Sequence, residues 1–293
     1  LVLPSGEAGK NLDSVMRIID RALEILLGRD GTIIALGGGV VCDVAAFAAN
    51  LYMRGCSLVL IPSTLLAMVD ASLGGKTGVD YQEYKNIIGT FYPAGEILIY
   101  PALLGTLPES EYRSGLAEVL KHALLEEGTL FADLEEKRGA VIERRVDVLN
   151  DLIPRSLAVK GRVVEEDPTE QGIRAHLNLG HTFGHALESV LGLGRLPHGH
   201  AVAWGIARAM EAGLALGETD PDYARRVREL FESYGYDLNI RIPDMDAYLE
   251  RISRDKKSRG GTVRFVLQRN IGRSFTRPLE EQLLRSVLEP YSS

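Results

Sequence analysis

The sequence is poor in the features that mark secreted, membrane-spanning and nucleic-acid-binding proteins. It has only two cysteines in 293 residues, too few for a disulfide framework, which favours a reducing compartment such as the cytoplasm. No apolar stretch reaches the ~18 residues of a transmembrane helix, and no signal peptide is visible. The net charge is −7 without a lysine- or arginine-rich block. This argues against nucleic acid as the main partner, but not against a small anionic ligand.

The first hundred residues alternate short apolar runs with helical patterns. Strands are predicted over Thr32–Leu36, Ser57–Ile61 and Glu96–Tyr100, with a helix from about Val40 to Met53. Strand, helix and strand at this spacing predict a Rossmann-like α/β domain, in which helices cover a parallel sheet.

After Pro101 the pattern becomes mainly helical. The run that begins at Thr106 (TLPE) is typical of a capping box with proline in the first turn, so a helix should follow to about Glu126. Further helices are predicted at about 129–137, 144–165, 178–191, 200–216, 222–234, 244–254 and 278–288. Pro154 should kink or break one of them, and a strand over Thr262–Leu267 interrupts the series. We therefore predict an α/β domain over residues 1–102 and an all-α domain over 103–293.

Four of the six histidines lie in one stretch. His181 and His185 are four residues apart in a helix-compatible run, so both imidazoles project from one helix face. His198 follows a turn that contains glycine and proline, and it begins a second apolar run. Two imidazoles on one helix and a third at the start of the next are a common way to build a metal site. The alternative is a partly buried helix face whose histidines have ordinary hydrogen bonds.

A glycine-rich turn, Gly37-Gly38-Gly39, joins the first predicted strand to its helix. Such a turn lets the backbone approach a phosphate, and the helix N-terminus favours the negative charge. Three glycines are equally compatible with a simple tight turn. Asp43 is either a helix-dipole residue or a cofactor contact, and Glu7 has the carboxylate that binds ribose hydroxyls at other dinucleotide sites.

The segment 62–78 and the residues after it combine charge with glycine. They hold Asp70, Lys76, Lys85 and Asn86 beside several glycines, between apolar residues. We interpret the segment as an anion-binding wall, with a flexible surface loop as the alternative.

Glu118 and Lys121 are three residues apart on a predicted helix with apolar neighbours. An exposed ion pair there would contribute less than about 1 kcal/mol, but the neighbours predict partial burial. A buried glutamate needs a partner, and a metal is one candidate. Glu118 and His122 form a rival ligand pair that we rank lower.

Two further segments hold candidate substrate contacts. Arg174 and Asn178 lead into the histidine helix, and arginine suits two-pronged binding of phosphate or carboxylate. The run 255–257 (DKK) is predicted as a solvated turn, from which a lysine reaches over a substrate.

Together these segments resemble the 3-dehydroquinate synthase family. The matching pieces, in the family's order, are GGGVVCD (37–43), MRG (53–55), PSTLLAMVDASLGGKTG (62–78), KNIIGTF (85–91), GLAEVLKH (115–122), RAHLNLGHTFGHALE (174–188), HGHAV (198–202) and DKK (255–257). The resemblance implies an N-terminal nucleotide-binding α/β domain, a C-terminal helical domain, an active site in the cleft between them, and a homodimer. It also implies a further strand–helix segment before residue 1.

The resemblance implies bound NAD, one divalent metal (zinc or cobalt) and a sugar-phosphate substrate. The reaction would convert 3-deoxy-arabino-heptulosonate 7-phosphate to 3-dehydroquinate and phosphate in the shikimate pathway. The implied metal ligands are Glu118, His181 and His198. The implied NAD contacts are Glu7, Lys10, Gly38, Gly39, Asp43, Ser63, Thr64, Asp70, Lys76, Lys85 and Thr106. The implied substrate and catalytic contacts are Asp70, Lys76, Asn86, Lys121, Arg174, Asn178, His185 as proton shuttle, Lys256 or Lys257, and Arg54 toward the partner subunit's phosphate site.

The chain departs from the family pattern at His200, where the family usually has glutamate. Related sugar-phosphate cyclases that act on other heptuloses or hexoses are close rivals, against which GGKTG (74–78) and LNLGHT (177–182) argue. Two further alternatives stay open. One is a metal-dependent polyol or glycerol-type dehydrogenase of the same broad fold, which would consume NAD; the anion-binding wall argues against it. The other is a truncated paralogue without activity, against which we note that every candidate catalytic position is filled.

Overall fold

The computed structural model describes residues 1–82, 84–168, 172–192, 194–258 and 263–292, with the backbone alone over 254–258. The chain divides into two compact units, Leu1–Gly115 and Leu116–Ser293. The domain boundary predicted between residues 102 and 103, from the change to a mainly helical pattern, stays a prediction. No helix within the described ranges is both long and apolar enough to cross a membrane.

The first unit contains a parallel sheet of three strands and an antiparallel hairpin. Its helices and strands are α1 (Leu12–Glu24), β1 (Thr32–Gly37), α2 (Gly39–Leu51), β2 (Ser57–Pro62), β3 (Lys76–Tyr81), β4 (Tyr84–Phe91), β5 (Glu96–Ile97) and the start of α3 (Glu109–Leu125). The sheet order is β1–β2–β5, and α2 is the crossover between the parallel strands β1 and β2. This arrangement confirms the predicted α/β class.

Helix α2 lies in the core of this unit because most of its residues are apolar and buried. Ala45, Ala46 and Ala49 pack against Leu58 and Leu60 of β2. Small side chains allow helix and sheet to approach closely. Both cysteines are buried and free, as expected of small hydrophobic residues.

The segment interpreted as an anion-binding wall is more ordered than a loop. It forms a short helical turn, Ala67–Ala71, and then the hairpin of β3 and β4. Gly78 lies opposite Gly89 in this hairpin, and a Cβ on Gly78 would stand 2.8 Å from the carbonyl oxygen of Ile88. These two glycines therefore serve close strand pairing.

Two other elements of the first unit differ from prediction. Helix α1 is an addition: Asn11 caps it by accepting a hydrogen bond from the Ser14 backbone N–H at 2.9 Å. The third sheet strand is limited to Glu96–Ile97 and not Glu96–Tyr100, because a 3₁₀ turn begins at Pro101.

The second unit is mainly helical, as predicted. It contains the rest of α3, then α4 (Leu130–Glu136), α5 (Arg138–Ile142), α6 (Val146–Glu166), α7 (His181–Leu191), α8 (His198–Ala215), α9 (Pro221–Ser233), α10 (Met245–Ser258), β6 (Arg264–Gln268), β7 (Ser274–Pro278) and α11 (Glu281–Leu288). The hairpin of β6 and β7 includes one strand that was not predicted. The run 255–257 lies within α10, so its predicted turn is wrong.

Helix α6 continues through Pro154. A kink or a break was predicted at this proline, and the helix is not broken there. Proline removes the hydrogen bond to the carbonyl of Asn150. Because both residues are exposed, water can satisfy that carbonyl and the helix tolerates the loss.

Candidate metal centre

Three side chains from three helices converge within the second unit. Glu118 lies on α3, while His181 and His198 are the first residues of α7 and α8. The Glu118 Oε1 atom is 3.5 Å from His181 Nε2 and 3.6 Å from His198 Nε2. A tetrahedral zinc ion with bonds of ~2.0–2.1 Å holds neighbouring ligand atoms ~3.3–3.4 Å apart. The two separations therefore fit one cation between these groups.

Glu118 is buried in a way that fits a metal ligand. Its side chain is 1% exposed, and neither carboxylate oxygen has a hydrogen-bond partner among the described residues. Lys121, 2% exposed, forms an ion pair with Oε2. A carboxylate in such surroundings is costly unless cations balance it. The lysine contacts Oε2, whereas Oε1 faces the two imidazoles and the place where a metal would bind.

The electrostatics of the centre favour an ionised Glu118 and a neutral His181. Burial raises the pKa of the Glu118 carboxyl, but Lys121 and the two imidazoles outweigh it and hold that pKa well below its usual range. Burial and then Lys121 hold the pKa of His181 well below its usual range. Burial lowers the pKa of His198, but the carboxylates of Glu118 and Glu188 outweigh it and raise that pKa to about 10. A bound dication would take the place of the His198 proton.

The ring of His181 is oriented by the backbone that precedes its helix. Its Nδ1 atom is 3.3 Å from the carbonyl oxygen of Leu179. Gly180 adopts a left-handed conformation with φ +79° and turns the chain into α7. With Nδ1–H donated to the carbonyl, Nε2 has the free lone pair and points toward Glu118.

Glycines allow α7 and α8 to approach closely enough for their histidines to meet. A Cβ on Gly184 would stand 2.6 Å from the carbonyl oxygen of Ala201. A Cβ on Gly205 would collide with the carbonyl of Gly180. Any larger residue at these places would push the two helices apart, and with them His181 and His198.

The rival ligand His122 has another contact. Its Nδ1 is 2.9 Å from Ser156 Oγ, and the ring is fully buried. Ligand atoms of Glu118 and His122 also lie within 4.8 Å of one another, so distance alone does not exclude this pair. The Ser156 contact leaves His122 with one nitrogen fewer for a metal.

His185 lies beside the centre. Its ring centroid is 5.2 Å from that of His181 and 5.9 Å from that of His198. Unlike His181 and His198, His185 is exposed. A solvent-accessible imidazole next to a buried metal site suits the transfer of protons, the role predicted for it.

In the first unit, residues predicted to contact a dinucleotide form ion pairs with one another. Lys10 Nζ is 2.6 Å from Asp43 Oδ2, and Lys85 Nζ is 3.5 Å from Glu7 Oε1. Burial raises the pKa of the Asp43 carboxyl, although Lys10 opposes that shift. The structure thus brings these four side chains together in two pairs.

The glycine-rich turn joins a strand to the N-terminus of a helix, as predicted. Strand β1 ends at Gly37, Gly38 precedes the helix, and α2 begins at Gly39. A Cβ on Gly38 would lie 3.0 Å from Thr64 Cγ2, and the backbone N–H of Ser63 donates to the Gly37 carbonyl at 2.8 Å. Ser63 and Thr64 therefore lie beside the turn, and their contact with NAD stays a prediction.

Two family models match consecutive parts of the chain. A model described as 3-dehydroquinate synthase N-terminal matches residues 1–114, and one described as 3-dehydroquinate synthase C-terminal matches residues 115–258. The chain belongs to the 3-dehydroquinate synthase family. The curated 3-dehydroquinate synthase of Dictyoglomus thermophilum is 42% identical over 292 residues, which cover 99% of this chain and 81% of the relative.

Two solved structures of sugar-phosphate cyclases are similar to this member of the 3-dehydroquinate synthase family. The 2-epi-5-epi-valiolone synthase of Streptomyces hygroscopicus subsp. jinggangensis 5008, with NAD+ and Zn2+ bound, has a TM-score of 0.90 at 28% identity, covering 98% of this chain and 81% of that one. A 2-deoxy-scyllo-inosose synthase complexed with carbaglucose-6-phosphate, NAD+ and Co2+ has a TM-score of 0.88 at 25% identity, covering 97% and 81%. The family resemblance drawn from the motifs is confirmed.

Arg174 and Asn178, which the 3-dehydroquinate synthase resemblance assigns to substrate, lie in a 3₁₀ segment, Ile173–Asn178. Arg174 is 3% exposed and donates from Nη1 to the Pro168 carbonyl at 2.7 Å. Its backbone N–H donates to Asp167 Oδ2 at 3.1 Å. The arginine is thus held in place by residues of the preceding segment.

Other positions assigned by the family resemblance lie in the first unit. Lys76 is the first residue of β3, and Asn86 lies in β4; both are exposed. Asp70 is half-buried in the turn Ala67–Ala71. Arg54 is exposed and has φ +65°. The structure describes their backbone placement and leaves their roles as predictions.

Three further positions, Thr106, Lys256 and Lys257, either differ from expectation or have side chains that are not described. Thr106 is inside a 3₁₀ turn, where its hydroxyl donates to the Leu103 carbonyl at 3.4 Å, and α3 begins only at Glu109. The predicted Thr106 capping box is therefore wrong. The side chains of Lys256 and Lys257 lie outside the described residues.

Sequence reasoning missed two charged residues of the second unit. Glu188 Oε1 is 3.7 Å from His198 Nδ1. The sequence did contain a signal for this residue, because Glu188 follows His185 by three positions and so lies on the histidine face of α7. Lys160 is 7% exposed on α6, which packs against the Arg174 segment. Its apolar neighbours in the sequence gave the only hint of burial.

Proposed function

We propose that this chain is a 3-dehydroquinate synthase, which converts 3-deoxy-arabino-heptulosonate 7-phosphate to 3-dehydroquinate and phosphate in the shikimate pathway. The observation that carries the proposal is the convergence of Glu118, His181 and His198 at separations suited to one divalent cation. It is supported by 42% identity to a curated 3-dehydroquinate synthase over nearly the whole chain.

The cofactors we propose are NAD and one divalent metal, zinc or cobalt, which related cyclases bind. When bound, the metal supplies a Lewis acid for a substrate hydroxyl, and NAD supplies a reversible hydride acceptor. Glu118, His181 and His198 would hold the metal. The turn at Gly38 and Gly39 would hold the dinucleotide phosphates at the N-terminus of α2.

The chain's own charged groups would bind the substrate and move its protons. Lys76, Asn86 and Arg174 are proposed to bind the phosphate, whose departure needs its charge to be balanced. Asn178 is proposed to position the sugar hydroxyls. His185 is proposed to transfer the protons of elimination and ring opening because it is exposed beside the centre.

The remaining assignments carried over from the family are also proposals. Asp70 and Lys121 would contact substrate, and Arg54 would reach the partner subunit's phosphate site in a homodimer. Residues 1–102 would form the functional NAD-binding domain and residues 103–293 the metal- and substrate-binding domain. A cytoplasmic location is supported by the two free, buried cysteines.

One assay tests the function against its alternatives. The purified chain is incubated with the heptulosonate phosphate, substoichiometric NAD and zinc, and phosphate release and NADH absorbance are followed. We expect many phosphates per NAD without net NADH. NADH formed in step with substrate, without phosphate, would indicate the polyol dehydrogenase. No turnover by protein that holds one metal equivalent would indicate the non-catalytic paralogue.

A further inference from the structure

The ring of His198 lies between two carboxylates. Its Nε2 faces Glu118 Oε1 at 3.6 Å, and its Nδ1 faces Glu188 Oε1 at 3.7 Å. Glu118 comes from α3, whereas Glu188 comes from the same helix as His181. The side chain of Glu188 is 19% exposed and that of Glu118 is 1% exposed. The two carboxylates therefore differ in burial and face different nitrogens of the His198 ring.

An imidazole that binds a metal through one nitrogen carries its proton on the other. An acceptor for that proton fixes the tautomer and the ring orientation. For His181 the Leu179 carbonyl is such an acceptor, at 3.3 Å from Nδ1. For His198 the group in the corresponding place is the Glu188 carboxylate. Both histidines thus have an oxygen on the side away from Glu118.

We infer that Glu188 is a positioning residue, which orients His198 so that Nδ1 carries the proton and Nε2 is free to bind the metal. The inference rests on the proposed metal site. At 3.7 Å the pair is longer than a direct hydrogen bond in this structure, and the inference is that Nδ1–H donates to the carboxylate once Nε2 binds the metal. The side chain lies on α7, whose position is set by the glycine contacts with α8.

His198 and Glu188 permit a competing arrangement together with His185. Ligand atoms of His185, Glu188 and His198 lie within 4.8 Å of one another, which suits a second cation. The two arrangements exclude each other because His198 Nδ1 cannot carry a proton and bind a cation at once. They also differ in stoichiometry, with one metal in the first and two in the second.

The test measures metal affinity and needs no substrate. Full-length wild type, Glu188→Ala, Glu188→Leu and Glu188→Gln are titrated with zinc against a chromophoric chelator, and cobalt absorption spectra report the coordination. We expect the Ala and Leu variants to bind about 10- to 100-fold more weakly. Glu188→Gln should recover most of the affinity, because its amide oxygen still accepts the proton. Glu229→Gln is the matched control, since Glu229 is 58% exposed and pairs with Arg225.

Each outcome decides the inference. Wild-type affinity and an unaltered cobalt spectrum in the Ala or Leu variant would overturn it. Two metal equivalents in wild type that fall to one on substitution would also overturn it, in favour of the second cation site. If Glu188→Ala does not fold, by circular dichroism of the metal-free protein, the comparison of Leu with Gln decides in the same way. Wild type that binds no zinc at all would refute the proposed metal centre itself.

Discussion

Each unit contains a largely buried acid–lysine pair, and the pKa values of the two carboxyls are shifted in opposite directions. In the first unit the side chains of Lys10 and Asp43 are 7% and 19% exposed; burial prevails, and the pKa of Asp43 is raised. In the second unit Lys121 and Glu118 are 2% and 1% exposed; here the surrounding positive groups prevail, and the pKa of Glu118 is lowered.

The difference lies in the number of groups that face the carboxylate. Asp43 has one lysine, with Glu7 and Asp70 adding further negative charge that raises its pKa. Glu118 has a lysine and two imidazoles. One lysine therefore does not offset the cost of removing a carboxylate from water, whereas a lysine with two polar rings does. The second arrangement keeps an anionic ligand ready for a metal.

The largest expected effect comes from removing one of those rings. His181→Ala should weaken zinc binding by more than about 100-fold, because it deletes a ligand. Loss of a group that only hydrogen-bonds to a ligand costs at most about 100-fold. Equilibrium dialysis with metal analysis measures it. His176→Ala is the control, a half-buried histidine outside the centre. Retention of a full metal equivalent by His181→Ala would show that the ligand set is wrong.

The second prediction tests whether the centre depends on helix packing. Gly184→Ala places a Cβ 2.6 Å from the Ala201 carbonyl, so we expect a loss of about 1–3 kcal/mol in the free energy of unfolding and weaker zinc binding. Gly139→Ala, in the exposed helix α5 with open space around it, should instead gain about 0.5–1 kcal/mol. Urea unfolding measures both. Equal effects would mean that the α7–α8 contact can relax.

The two units differ in how much of their fold and candidate site residues could be predicted from the sequence. The spacing of His181, His185 and His198 predicted a metal site without a family. Nothing in the spacing placed Glu118 there, because 63 positions separate it from His181 and only tertiary packing closes that distance; the family resemblance supplied it. Glu188 was missed because, on a helix, a glutamate near histidines also fits an exposed polar face.

In the first unit, the glycines of the predicted anion-binding wall show what glycine spacing leaves open. Gly78 pairs with Gly89 in a hairpin, and anion binding by the segment stays a prediction. Glycine signals close approach of a backbone, and the sequence alone does not say whether a phosphate or a neighbouring strand approaches. The turn at Gly37–Gly39 was easier, because a clear strand and a clear helix flank it.

A carboxyl that contacts two cationic side chains supplies the third prediction. Asp133 accepts charge-assisted contacts from Lys137 and Arg155, which lower its pKa to about 2. Since the folded pKa is depressed, its stabilisation is present above the unfolded value and is lost as pH falls toward 2. Asp133→Asn should cost about 1 kcal/mol at pH 7, after allowance for solvent screening. The cost should shrink in urea unfolding below pH 4; a constant cost would exclude the ion pairs as its source.

The smallest expected effect has the opposite sign and concerns Asp43. Its folded pKa is raised, so its favourable contribution is present below the unfolded pKa and is lost as pH rises through the folded one. In urea unfolding from pH 4 to 7, wild type should therefore lose stability relative to Asp43→Asn. The test is the slope of the difference in unfolding free energy against pH. The variant leaves Lys10 without its carboxylate, which shifts that difference by an amount that does not depend on pH over this range. A slope of the reverse sign would mean that Lys10 alone does offset burial, and the contrast with Glu118 would disappear.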